Sequence, residues 1–231
     1  MRYVASIVVA CFLCGCRPAV TESDRSLIAE HTSDELYGID STIEAKPDEL
    51  NQEHPDMKEL FLHFLESPDR DSYLAVRNAL ISSEHYDPYS DEMDKINELL
   101  DAGKLEEARE KLSESMPNLL LSPSAHLTIS FIAEKSDDEK GAKMEGFIAA
   151  TCCEGVLATG DGTKDNPYIV VRTSDEHDVV QYLGKQFTRQ SLIEDGNRYF
   201  DRINCDDGSE LWFDVTDPYN KLGEAFGEGS P

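Results

Sequence analysis

The residues best suited by type and spacing to bind or react lie in the run Gly160-Asp161-Gly162-Thr163, followed closely by Asp165 and Asn166. Glycines let backbone amides approach an anion, and the oxygens of Asp161, Asp165 and Asn166 are hard donors suited to a cation. Gly160, Asp161, Gly162, Thr163 and Asp165 therefore form a candidate ligand loop. It is no dinucleotide fingerprint, because the third glycine is absent and helix-patterned sequence precedes it where a strand is required. Nor is it an EF-hand loop, since oxygen donors do not alternate at the needed spacing. The competing reading is structural: a helix C-cap and a loop that aims the chain into its first strand.

A second chemical signal stands at the N-terminus. Arg2 and the apolar run 3–13 end in Leu13-Cys14-Gly15-Cys16. The run is far shorter than the ~20 residues needed to span a bilayer, so it reads as an export signal. The last four residues resemble the bacterial lipobox, in which small side chains fit the signal peptidase and the cysteine thiol takes the diacylglyceryl group. That resemblance implies lipidation at Cys16 and a membrane partner held through the anchor. With Arg17 rather than aspartate after the cysteine, the implied address is the bacterial outer membrane facing the periplasm. An ordinary secretory signal with an incidental Cys16 is the alternative.

Of six cysteines, Cys11 and Cys14 leave with the signal and Cys16 is acylated, which leaves Cys152, Cys153 and Cys205 in the folded part. In an oxidising compartment Cys205 could pair with Cys152 or Cys153; equally, all three could serve as buried apolar side chains. No Cys-x-x-Cys pair or histidine set has zinc-ligand spacing, so no metal and no cofactor is expected. The six histidines are scattered, and His126, on an apolar helix, fits a hydrogen-bonded core residue better than a base. Nucleophile elbows, zinc-protease helices and phosphate loops do not occur, and no catalytic residue is nominated.

The elements that must hold these residues follow from composition and period. An apolar share of 39% in 231 residues supplies a core, while 47 acidic against 21 basic residues give a net charge of −26. A field of that sign repels nucleic acid and anionic lipid head groups, so nucleic acid is excluded as a partner. Residues 1–15 are the signal. Residues 16–55, rich in Asp, Glu, Ser and Thr without a sustained period, read as an acidic tether of roughly 30–35 Å root-mean-square span.

Residues 56–158 have helical spacing. Leu60, Phe61, Phe64 and Leu65 mark a first helix ended by Pro68, and a second over 71–84 closes in the turn Tyr86-Asp87-Pro88-Tyr89. The two tyrosines either pack on the helices or line a ligand groove. Met93, Ile96, Leu99 and Leu100, then Gly103, then Leu105, Ala108 and Leu112 predict a hairpin that stops before Pro117. A second hairpin turns at 136–138 and places Ala142 thirty-four residues after Ala108. The pattern resembles the tetratricopeptide repeat, which implies a concave groove for a protein partner.

Beyond 159 the period changes to that of strands. The expected order is a strand over 168–172, a short helix from Ser174 through Leu183, and strands at 186–193, 199–205 and 210–215. Asp206-Asp207-Gly208 should make a tight turn between the last two strands. Tyr199, Ile203, Cys205, Leu211, Phe213 and Val215 fall on one face, with Trp212 opposite, either covering the sheet or meeting a partner. The predicted fold class is α+β: N-terminal tetratricopeptide-like helical hairpins packed with a small C-terminal antiparallel sheet over 159–231.

Several short motifs together resemble a family of bacterial envelope proteins designated domain of unknown function 4919. They are Tyr86-Asp87-Pro88-Tyr89, Ala125-His126, Gly160-Asp161-Gly162-Thr163, Asp175-Glu176 opening a helix to Tyr182-Leu183-Gly184, and Gln190-Ser191-Leu192 before a tyrosine-aspartate strand. The likeness covers roughly 57–215, with His177 where a tyrosine is expected. It implies fold and location but no reaction. The expected function is accordingly a non-catalytic, envelope-anchored interaction module with an unknown protein partner. The alternative is a small-ligand or cation-binding protein, or a hydrolase, centred on the Gly160–Thr163 loop.

Overall fold

In the computed structural model, which describes residues 56–225, the chain begins with an antiparallel helix pair, α1 (Met57–Glu66) and α2 (Arg70–Ile81). Asp69 and Ser72 start α2 with a reciprocal capping box: the Ser72 amide donates to Asp69 Oδ1 at 2.8 Å, and the Asp69 amide donates to Ser72 Oγ at 3.0 Å. The signal, Cys16 and the tether lie outside the described residues.

Two further hairpins follow, α3 (Glu92–Asp101) with α4 (Leu105–Leu119), and α5 (Pro123–Lys135) with α6 (Glu139–Ala158). Gly103 turns the first at φ +73°, and Asp137, thirty-four residues on, turns the second at φ +60°. Aspartate is among the few side chains that tolerate this left-handed conformation, which explains a turn the sequence marks without a glycine. Ala108 and Ala142 are both buried. Contrary to expectation, α4 runs through Pro117 to Leu119. Proline costs a helix its local hydrogen bond, but here Met116 before it and Leu119 after it are both buried. Asn118 ties the same turn down, donating to Glu92 Oε2 (2.8 Å) and the Asp87 carbonyl (3.1 Å) and accepting from the Asp87 amide (3.0 Å).

The C-terminal part holds β1 (Tyr168–Ile169), α7 (Asp175–Tyr182), β2 (Phe187–Asp195), β3 (Arg198–Cys205), β4 (Glu210–Asp214) and α8 (Thr216–Ala225). The fold class is α+β, helices first and a four-stranded sheet second. The sheet is mixed rather than antiparallel. Its order is β1-β4-β3-β2, and β1 runs parallel to β4. The long connection through α7 and two hairpins makes that parallel neighbour accessible, as a tight turn could not.

The first strand is also shorter than its β-branched run predicts. Carbonyls at its end are taken by helix and turn side chains: Tyr73 Oη donates to Ile169 (3.3 Å), Arg77 Nε to Val170 (3.0 Å) and Tyr86 Oη to Val171 (2.9 Å). The loop from β3 to β4 spans four residues with only Gly208 left-handed (φ +81°), so it is wider than the tight Asp-Gly turn expected.

The main core lies between α1, α2, α6 and α7 and the inner face of the sheet, where Ile203, Cys205, Leu211, Phe213 and Val215 are buried. Gly155 on α6 lets Tyr73 and Phe64 approach closely; a Cβ there would sit 2.5 Å from Tyr73 Cδ2. A smaller core joins α3, α4 and α5 through Ile96, Ala108, Leu112, Leu119 and Ile132.

Candidate functional site

The Gly160–Thr163 loop is closed on itself. The amides of Asp161 and Gly162 both donate to the Asn166 carbonyl (3.0 and 3.2 Å), so neither faces an anion. Asp161 Oδ1 accepts from the Thr163 amide at 3.0 Å, and these hydrogen bonds hold its carboxyl below the ordinary carboxylate value. Gly162 O accepts from the Trp212 amide (2.9 Å), and a Cβ at Gly160 would meet the Pro167 carbonyl oxygen at 2.4 Å. Asp165 is exposed and makes no part of a donor cluster. The loop thus serves as the joint between α6 and β1, with Asp161 closing an Asx turn.

Two other candidates resolve likewise. Cys152, Cys153 and Cys205 are free and buried, so the Cys205 bridge does not form in this structure and the thiols act as apolar core groups. Burial pushes the thiols of Cys152 and Cys153 well above their usual range, away from nucleophilic thiolate. His126 is locked in the core: Nδ1 lies 2.7 Å from Glu145 Oε2, and Nε2 lies 2.9 Å from the Leu120 carbonyl oxygen. Since that carbonyl can only accept, Nε2 carries a hydrogen, and the ring stacks 6.2 Å from Phe61. Trp212 packs over the outer face of the sheet, edge-on to Phe200 at 6.4 Å and under Lys164 Nζ at 5.8 Å.

What the structure assembles instead is a carboxyl cluster at the first turn of α7. Asp175 and Glu176 are both buried, and Asp178 is half-buried. Asp178 accepts from Ser124 Oγ (2.6 Å) and the Ser124 amide (3.1 Å), which partly offsets a burial that raises it to about 6. Asp175 Oδ2 accepts from the Arg172 amide at 3.1 Å, yet burial lifts this acid to about 8 against the pull of the Arg172 charge. Glu176, 0% exposed, is driven well above its usual range by burial first and then by the neighbouring Asp201 charge.

Asp201 projects from β3 on the inner face and is 5% exposed. A single donor bridges the pair. Gln190 Nε2, from the edge strand β2, donates to Asp201 Oδ2 at 2.7 Å and to Glu176 Oε2 at 3.2 Å. Among the described residues Glu176 Oε1 is buried with no partner.

This pair lies at the open edge of the sheet. Among the described residues, the large apolar side chains that stand exposed are Leu192 (50%), Tyr89 (42%) and Phe187 (40%). Leu192 is the cross-strand partner of Asp201 and shares its face. The phenol of Tyr89 is raised by partial burial first and then by the charges of Asp201 and Glu176. Phe187 packs 4.9 Å from His177, the residue after Glu176.

The sequence offers Tyr89 as one side of a ligand groove but marks none of Glu176, Gln190 and Asp201 as a site residue, although Glu176 and Gln190 each lie in a short motif of the family resemblance. Their proximity was invisible because positions 89, 176, 190 and 201 are far apart in the chain. Among the described residues no group of His, Cys, Asp and Glu could hold a metal ion, and no helix is long and apolar enough to cross a membrane. No protein-family model matches the chain, and no curated protein or solved structure does either.

Proposed function

We propose that the protein is a non-catalytic interaction module anchored in the bacterial envelope by a lipid on Cys16, most simply at the outer membrane facing the periplasm, and that it holds a protein partner at the open edge of its sheet. The observation that carries the interaction reading is that, of the three large apolar side chains exposed among the described residues, two, Leu192 and Phe187, stand on one edge strand. Among the described residues strand β2 pairs only with β3, so within them its other edge offers unpaired backbone groups. The lipobox-like run and the acidic tether supply the anchoring half of the proposal.

Membership of the family designated domain of unknown function 4919, and kinship of the hairpins with tetratricopeptide repeats, belong to the same proposal. The second is supported by the thirty-four-residue spacing of both the left-handed turns and the buried alanines. The alternative, ligand or cation binding by the Gly160–Thr163 loop, is less well supported because the amides of Asp161 and Gly162 are already engaged.

The test is site-specific photo-crosslinking in cells, with the crosslinker at Leu192 or Phe187 and, as control, at Glu106 on the distant helical hairpin. A discrete adduct from the first two positions and none from the third is expected; equal yields everywhere would overturn the assigned surface. Separately, Cys16→Ser should abolish labelling by a fatty-acid probe, and persistent labelling would sink the anchor.

A further inference from the structure

The bridge between Glu176 and Asp201 is chemically incomplete. The two carboxyl groups share a hydrogen bond with each other, and the donor that the neighbouring strand offers them is one neutral amide, which brings two N–H groups and no charge. Glu176 Oε1, fully buried, is left without any donor, a cost that native interiors seldom carry unrelieved. An ammonium group centred where Gln190 Nε2 now sits would bring a third donor and a full positive charge to the pair.

The surroundings suit the rest of such a ligand. Gln190 is the exposed member of the trio, on an edge strand, so its side chain can swing away while the strand stays in place. Leu192 lies on the same face opposite Asp201, and its exposed surface can cover an aliphatic stem. A four-carbon stem ending in an ammonium matches this combination of apolar rim and acidic floor. The net charge of −26 draws such a cation in from solution.

We propose that the Glu176–Asp201 pair is a socket for a lysine side chain of the partner protein, and that the Gln190 amide is the place-holder that fills it in the free protein. The inference rests on the reading of this edge as the partner-binding surface. It makes an unusual demand on Gln190: removing the place-holder should improve binding, whereas a residue that merely clasps α7 to the sheet should, when removed, weaken the fold and improve nothing.

The experiment titrates the full mature chain with Nα-acetyl-lysine methylamide, and in parallel with its Nε-acetylated counterpart, by NMR and calorimetry. Saturable binding of the free amine alone is expected. Glu176→Gln should weaken it by about ten-fold or more, the scale of a lost charged hydrogen bond. Gln190→Ala should tighten it several-fold. Circular dichroism and melting curves establish that both variants fold.

Equal responses to the two probes, unchanged binding by folded Glu176→Gln, or no tightening in folded Gln190→Ala would each overturn the socket. Crosslinking from Leu192 in the Glu176→Gln background separates the two levels. An adduct that persists while the amine fails to bind removes only the socket, and loss of the adduct from the wild-type chain as well removes the surface on which it rests.

Discussion

Replacing Asp175 with Asn should change how stability responds to pH far more than it changes stability in acid. The Asp175 carboxyl is buried, with Oδ2 on the Arg172 amide and Oδ1 unpartnered, and its pKa is raised from 3.8 to about 8. A folded-state value above the unfolded one means that the fold favours the protonated acid. That contribution is complete below the unfolded value and is lost as pH rises through about 8. A shift of about four units corresponds to about 6 kcal/mol at most, at ~1.4 kcal/mol per unit. About 4 kcal/mol of this falls between about pH 5 and about pH 8, the part that a titration starting near pH 5 reads. Asparagine cannot ionise and escapes the loss. Urea denaturation of both proteins near pH 5, about pH 7 and about pH 9 should show the variant gaining about 4 kcal/mol on wild type up to about pH 8, then holding level. A constant difference across that range would mean that Asp175 is ionised and paired with Arg172 throughout, and the account of the cluster would fail.

Gly155→Ala should cost about 1–3 kcal/mol in chemical denaturation, because the new methyl would stand 2.5 Å from Tyr73 Cδ2 and 2.7 Å from Phe64 Cζ in a filled core. An unchanged midpoint would show that α6 is not seated against α1 and α2 as described. Asp161→Ala should leave the melting temperature near that of wild type, and calcium should raise it in neither protein; stabilisation by calcium that the variant abolishes would restore the loop as a ligand site. Alkylation followed by peptide mass mapping should find Cys152, Cys153 and Cys205 unmodified in the native protein and modified in denaturant, with rapid native labelling as the contrary result.

Much of the fold was legible because its signals are local. The helical period of Phe61, Phe64 and Leu65, the glycine at 103 and the alternation Leu211, Phe213, Val215 each report burial within a few residues of themselves, and the elements they mark stand close to where they were expected. The expectations that failed were those a distant residue overruled. Pro117 sits inside α4 because Asn118, one residue on, is bound by the turn at Asp87. The β-branched run after Pro167 yields a two-residue strand because Tyr73, Arg77 and Tyr86, some 85 to 96 residues earlier, take its carbonyls.

The same division holds for the site. From the sequence alone came the acidic balance, the helices-then-strands order and the Gly160–Thr163 turn, since charge, hydrophobic period and glycine stereochemistry are properties of composition and near neighbours. Only tertiary structure decided that the loop amides are spent on Asn166, and that Gln190 bridges Glu176 and Asp201. A lone Glu at a helix start and a lone Gln in a strand are ordinary surface residues. They become a buried, underserved pair only when α7, β2 and β3 close over them and exclude the water that would otherwise solvate each carboxylate.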